Sequence, residues 1–167
     1  LGIAQTGSGK TASYVLPLLM NLEKETATKN RHATVLVVVP TRELAIQVQD
    51  VFQLFGSALS RSIKSMAVYG GVSINPQMKT LNAVEILIAT LGRLLELVET
   101  KAVHSSEIKT LVLDEADKML NLGFEDEMNR IFDLLPSKRQ NLLFSATLTE
   151  NVTNIHRVLL HNPVAIK

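Results

Sequence analysis

Eight consecutive residues near the start of the chain, Ala4-Gln5-Thr6-Gly7-Ser8-Gly9-Lys10-Thr11, have the types and spacing to hold a polyphosphate. Gly7 and Gly9 open backbone dihedrals closed to residues with a Cβ, which lets successive N–H groups converge on one anion. Lys10 then supplies a cation for the β- and γ-phosphates, and Thr11 a hydroxyl for a magnesium ion. Ala4, Gln5, Thr6 and Ser8 complete the turn, although the general pattern opens on Gly where this chain has Ala4. Far downstream, the apolar run Leu111-Val112-Leu113 ends in Asp114-Glu115-Ala116-Asp117. Carboxylates at such a place suit two tasks: Asp114 as a magnesium ligand, and Glu115 as the group that orients and deprotonates an attacking water. Taken alone, the acidic run would equally suit the first turn of a helix, where the dipole favours Asp and Glu. Beside the glycine-bearing loop, it makes Lys10 and Glu115 the candidate catalytic pair of a phosphoryl-transfer site.

Arg42 and Arg93 raise a different question, because each follows a predicted strand and sits near the start of a predicted helix. A cation there adds to an already positive dipole end, which is unfavourable unless an anion is expected. With the Gly70-Gly71 turn at a third strand end, the two arginines point to a track for a phosphodiester backbone; the alternative is a pair of solvated surface arginines. Ser145 and Thr147 close another apolar strand, where buried hydroxyls need partners. Helix capping by Thr147 or Thr149 is the simpler use of these groups.

The elements that must position these residues alternate in type. Apolar runs of strand length fall at residues 1–3, 34–39, 63–69, 85–89, 110–113, 141–145 and 164–166, separated by amphipathic stretches of helix length. That alternation predicts an α/β fold: a parallel sheet with helices on both faces, its ligand crevice outside the carboxyl ends of the strands. A helix is expected over 11–22. Another, over 42–55, carries one apolar stripe of Leu44, Val48, Val51, Phe52 and Phe55 and ends on Gly56 at the C′ position. Phe124, Met128, Ile131 and Leu135 form a further stripe, as do Val152, Ile155 and Leu159. Residues 23–32 read as a solvated loop whose charges need no partner.

Composition narrows the classes. The chain has 167 residues, 46% of them apolar, enough for one core and one domain. No Cys is present, which excludes disulfides and Cys-ligated zinc and favours a reducing intracellular compartment, cytoplasmic or nuclear. His32, His104, His156 and His161 have no metal-ligating spacing, and no apolar run is long enough for a transmembrane helix. A net charge of +1 and 4% aromatic residues predict a grip on nucleic-acid backbone rather than stacking on bases. The chain starts inside a strand and without Met, so a preceding segment is expected.

Over its whole length the chain resembles the DEAD-box RNA helicases, whose name spells Asp114-Glu115-Ala116-Asp117. It looks like the first of the family's two RecA-like domains, a P-loop NTPase fold. Ala4–Thr11 is similar to motif I, which accepts Ala where the general loop has Gly. Pro40-Thr41-Arg42-Glu43-Leu44-Ala45 matches motif Ia, Gly70-Gly71 the glycine doublet, and Ser145-Ala146-Thr147 motif III. Thr90-Leu91-Gly92-Arg93 matches motif Ib except at Leu91, where the family usually has Pro, and that departure puts the shape of the turn in question.

The resemblance implies ATP and Mg²⁺ as cofactors, and RNA contacts from Pro40, Thr41, Arg42, Gly70, Gly71, Thr90, Gly92 and Arg93 with little sequence preference. It also implies a link between ATP and RNA states through Asp117, Ser145 and Thr147. Partnered by a second RecA-like domain of the same protein, the family separates short duplexes by bending one strand; an ATP-dependent RNA clamp would use the same residues. The adenine-reading Q motif and the second domain's arginines are absent from these 167 residues, so this piece alone is expected to be monomeric and nearly inactive.

Overall fold

The structure, a computed structural model, describes residues 2–3, 9–25, 32–147 and 149–159. Ala4, Gln5, Thr6, Gly7 and Ser8, and the strand expected at 164–166, lie outside the described residues.

Six strands form one sheet among the described residues: β1 (Gly2–Ile3), β2 (Val35–Val39), β3 (Ser65–Val68), β4 (Ile86–Thr90), β5 (Thr110–Leu113) and β6 (Gln140–Ser145). They lie in the order β1-β6-β5-β2-β4-β3, and every neighbouring pair is parallel. The period of two in each strand builds two separate cores. Val35, Val37 and Val39 of β2 share one face with Ile86, Ile88 and Val112, beneath the helices α1 (Lys10–Lys24) and α2 (Arg42–Gly56). Leu36 and Val38 share the other face with Leu87, Ala89, Leu111, Leu113 and Leu143. Apolar side chains of α4 (Leu91–Glu99), α5 (Ala116–Asn121), α6 (Glu125–Leu134) and α7 (Glu150–Leu159) close that face. A short α3 (Ile74–Thr80) follows β3. The register Val37↔Ile88 and Val37↔Val112 keeps like faces together across the centre of the sheet. No described helix is long and apolar enough to cross a membrane.

Three local expectations need correcting. Gly56 is not a left-handed C′ residue: α2 runs through it and ends on Ser57 in the right-handed region. The Ser57 N–H donates to Gln53 O and its Oγ to Leu54 O, so ordinary helical carbonyl pairing finishes the helix and no positive φ is required. Glu23 lies in the last turns of α1 rather than in a loop, and its Oε2 accepts from Ser60 N–H at 3.1 Å. At Leu91, where the missing proline left the shape of the turn in question, the chain enters α4 directly. Thr90 is extended (φ −81°, ψ 151°) and Leu91 takes the first helical position of α4, where a free N–H needs no helical partner, while its side chain packs into the core.

Candidate active site

Lys10 is the first residue of α1, and the residue before it, Gly9, has φ 105°. A Cβ on Gly9 would meet nothing within 4 Å among the described residues, and the dihedral alone is reason for glycine there. Asp114 follows β5 directly and is tied to the neighbouring strand through its N–H to Val38 O at 3.0 Å. Its side chain is 2% exposed and that of Lys10 7%, and the Lys10 Nζ lies 2.9 Å from Asp114 Oδ1. The approach is off the hydrogen-bonding direction, which leaves Oδ1 without a directed partner among the described residues. Charge holds this pair together. The second oxygen, Oδ2, accepts a 2.8 Å bond from the Tyr14 hydroxyl. Burial first, and the Asp114 carboxylate next, hold the Tyr14 phenol far above its ordinary range, so it remains a neutral donor.

Glu115 adopts a left-handed backbone (φ 55°, ψ 48°), one of three non-glycine residues with positive φ among those described. Such a conformation is disfavoured for a residue with a Cβ, and it helps turn the chain from β5 into α5 within two residues, Asp114 and Glu115. Lys118 Nζ lies 3.2 Å from Glu115 Oε2, but the lysine is 54% exposed, so solvent screens the pair. A cleft of about 460 Å³ brings Gly9, Lys10, Thr11, Asp114 and Glu115 together. Its other wall is Leu44, Val51 and Phe55 of α2, three of the five stripe residues, which are half-buried and also pack against the core; the other two, Val48 and Phe52, are fully buried.

The donor set here is a buried carboxylate and a threonine hydroxyl, hard oxygens of the kind magnesium takes. An Asp114 Oδ1 with no directed hydrogen bond suits that use, so Thr11 and Asp114 fit the ion. Among the described residues no group of three or more His, Asp or Glu side chains could hold a metal without exogenous ligands. His32 and His104, unrelated in sequence, meet edge to face with centroids 4.4 Å apart.

At the same end of the sheet, Thr41, Gly70-Gly71 and Thr90 lie at the carboxyl ends of β2, β3 and β4. Pro40 is buried, and the Thr41 hydroxyl accepts from Leu44 N–H at 3.2 Å, capping α2. Arg42 is exposed, its guanidinium 5.3 Å from the centroid of the Tyr69 ring. Gly71 has φ 81°, and Gly92 is exposed in the first turn of α4.

Arg93 departs from the expected outward-facing cation. It is 7% exposed, donating from Nη1 to Gln77 Oε1 at 2.7 Å and from Nη2 to Val72 O at 2.8 Å. Gln77 in turn donates to Tyr69 O at 3.2 Å, so the two side chains brace the Gly70-Gly71 loop from beneath. A guanidinium with five donors fits a pocket of carbonyl oxygens as well as it fits a phosphate. We expect Arg93→Ala to cost about 2 kcal/mol, because it leaves Gln77 Oε1 and Val72 O unpaired. Arg93→Lys should recover less than half of that, since one ammonium cannot span both acceptors. Urea denaturation of the three proteins measures both values; equal stability of Arg93→Ala and the parent would remove the brace.

Thr147 Oγ1 donates to Asp117 Oδ2 at 3.2 Å, joining the end of β6 to α5, whereas the buried Ser145 hydroxyl donates to Thr147 O at 2.8 Å and not to Asp117. The capping role falls to Thr149, whose Oγ1 accepts from Val152 N–H at 3.4 Å. Sequence reasoning missed Tyr14 and Gln77. Tyr14 carried a signal: it begins the buried stripe Tyr14, Leu18, Leu22, and a buried phenol requires a hydrogen-bond partner. Gln77 carried none.

A family model described as DEAD/DEAH box helicase matches residues 1–155. The chain is 44% identical, over all of its length, to the DEAD-box ATP-dependent RNA helicase CshA of Streptococcus pneumoniae, of which it spans 31%. It is also 44% identical, over 99% of its length, to the ATP-dependent RNA helicase DBP2 of Lodderomyces elongisporus, of which it spans 30%. It thus covers about a third of these curated relatives. The crystal structure of a DEAD box protein from Methanococcus jannaschii superposes with a TM-score of 0.87 at 34% identity, over 98% of this chain and 43% of that one.

Proposed function

Because the chain belongs to the DEAD/DEAH box helicase family, we propose that it forms the ATP-binding RecA-like domain of an ATP-dependent RNA helicase, working with a second such domain of the same protein. The convergence of Lys10, Asp114 and Glu115 on one cleft is the observation that supports this most directly. In this reading Lys10 leaves Asp114 for the β- and γ-phosphates, beside the loop amides of residues 4–9. Thr11 and Asp114 hold magnesium, which when bound neutralises charge on the phosphate oxygens. Glu115 accepts a proton from the water that attacks in line. Leu44, Val51 and Phe55 lower the polarity of the opposite wall.

Beside the cleft, Thr41, Arg42, Gly70, Gly71, Thr90 and Gly92 meet the phosphates and sugars of an RNA strand, with Pro40 and Arg93 shaping the loops that carry them. Asp117, Ser145 and Thr147, near the carboxyl ends of β5 and β6, link ATP state to RNA state. Competition tests the substrate class: an RNA oligomer should displace a bound RNA from the full-length protein at least about tenfold more effectively than DNA of equal length and sequence, since 2′-hydroxyl contacts distinguish the two. Equal competition by DNA would overturn the assignment to RNA.

A further inference from the structure

The proposed mechanism gives Lys10, Thr11, Asp114 and Glu115 their tasks and leaves Tyr14 none, although Tyr14 makes the one directed side-chain bond to Asp114 among the described residues. We propose that Tyr14 is a positioning residue for magnesium-nucleotide binding, its hydroxyl committing Asp114 Oδ2 to the protein so that Oδ1 is the oxygen left for a ligand. The inference rests on the nucleotide reading above.

Helix periodicity sets the geometry. Lys10 and Tyr14 are four residues apart on α1 and therefore share one face. From that face they grip the two oxygens of a single carboxylate, Lys10 at Oδ1 and Tyr14 at Oδ2. The two grips differ in kind. Lys10 holds by charge and has a second use, at the phosphates. Tyr14 holds by a directed bond, and its ring is confined by Phe144 at 5.0 Å and Phe52 at 6.5 Å between centroids. With the ring so packed and 2% exposed, the hydroxyl has no solvent to turn to. When Lys10 leaves, Tyr14 is the group that keeps the carboxylate from rotating. Magnesium demands near-ideal octahedral geometry, so an oxygen presented in one fixed direction binds it better than a freely turning carboxylate.

The test is Tyr14→Phe in the full-length protein, with binding of a fluorescent ADP analogue measured across magnesium concentrations and in EDTA. The half-saturating magnesium concentration should rise about tenfold, with nucleotide affinity in EDTA unchanged. Phe144→Leu loosens the same ring packing and spares the hydroxyl; it should lower the unfolding temperature and shift the magnesium dependence far less than Tyr14→Phe does. An unchanged magnesium dependence in Tyr14→Phe, or an equal shift in both variants, would overturn the proposal. If the parent itself bound nucleotide no better with magnesium than in EDTA, the nucleotide reading would fall, and this inference with it.

Discussion

Glu115→Gln in the full-length protein is expected to lower RNA-stimulated ATP turnover by about 10²–10⁴-fold, the range spanned by a well-placed general base. Glutamine keeps the volume and reach of the side chain and removes only its capacity to take a proton. Asp114 and Lys10 are untouched, so nucleotide affinity should stay close to that of the parent. The local fold should persist too, because the left-handed turn depends on Glu115's backbone and its side chain meets a largely exposed lysine. Single-turnover hydrolysis with a separate titration of nucleotide affinity makes the distinction. Parental turnover in this variant would assign the water to another group, and a parallel loss of binding would make Glu115 a ligand of the nucleotide instead of a base.

Lys10→Ala should act twice. Removing a preorganised cation from the phosphates costs about 10²–10³ in turnover. It also strands a buried carboxylate, since Asp114 is 2% exposed and Lys10 is its counter-charge. Breaking a buried pair from one side costs about 3–5 kcal/mol, and the bond from Tyr14 places this case at the lower end, about 3 kcal/mol. The double variant Lys10→Ala, Asp114→Asn should regain most of the stability while remaining inactive, because a neutral amide needs no counter-ion. Urea denaturation of the single and double variants measures this coupling. A single variant as stable as the parent would mean that the pair contributes nothing to the nucleotide-free fold.

The strands among the described residues, their parallel arrangement and the meeting of Lys10 with Asp114 and Glu115 in one cleft were legible in the chain, because each rests on local spacing: a period of two, a period near four, or a motif read within a few residues. What was not legible depended on which distant element arrives. The stripe on α2 has the same apolar character throughout, yet Val48 and Phe52 are fully buried while Leu44, Val51 and Phe55, packed at the edge of the same core, also line the cleft, since only a tertiary neighbour covers a face. Arg93 read as an outward cation because the carbonyl and carboxamide that hold it come from Val72 and Gln77, on a loop and a helix that the pattern did not reveal. Gly56 matched the composition of a helix end and not its geometry, since the Ser57 N–H and hydroxyl pair with carbonyls of the last turns without a left-handed residue.

The order of the strands has a kinetic meaning as well. β2, at the centre of the sheet, has its partners in β4 and β5, so a chain emerging from synthesis carries this apolar strand unpaired until residue 86 and beyond has been made. Among the described residues β1 pairs with β6 alone, which closes the largest loop in the sheet. Contacts of such high sequence separation form late, after shorter loops have closed. Of the six strands described, β1 is therefore the earliest in the chain and among the last to dock. On the proposed reading, a nucleotide held by Lys10 and Asp114 would therefore stabilise the fold only once β5 has joined the sheet, and would give no help to earlier intermediates.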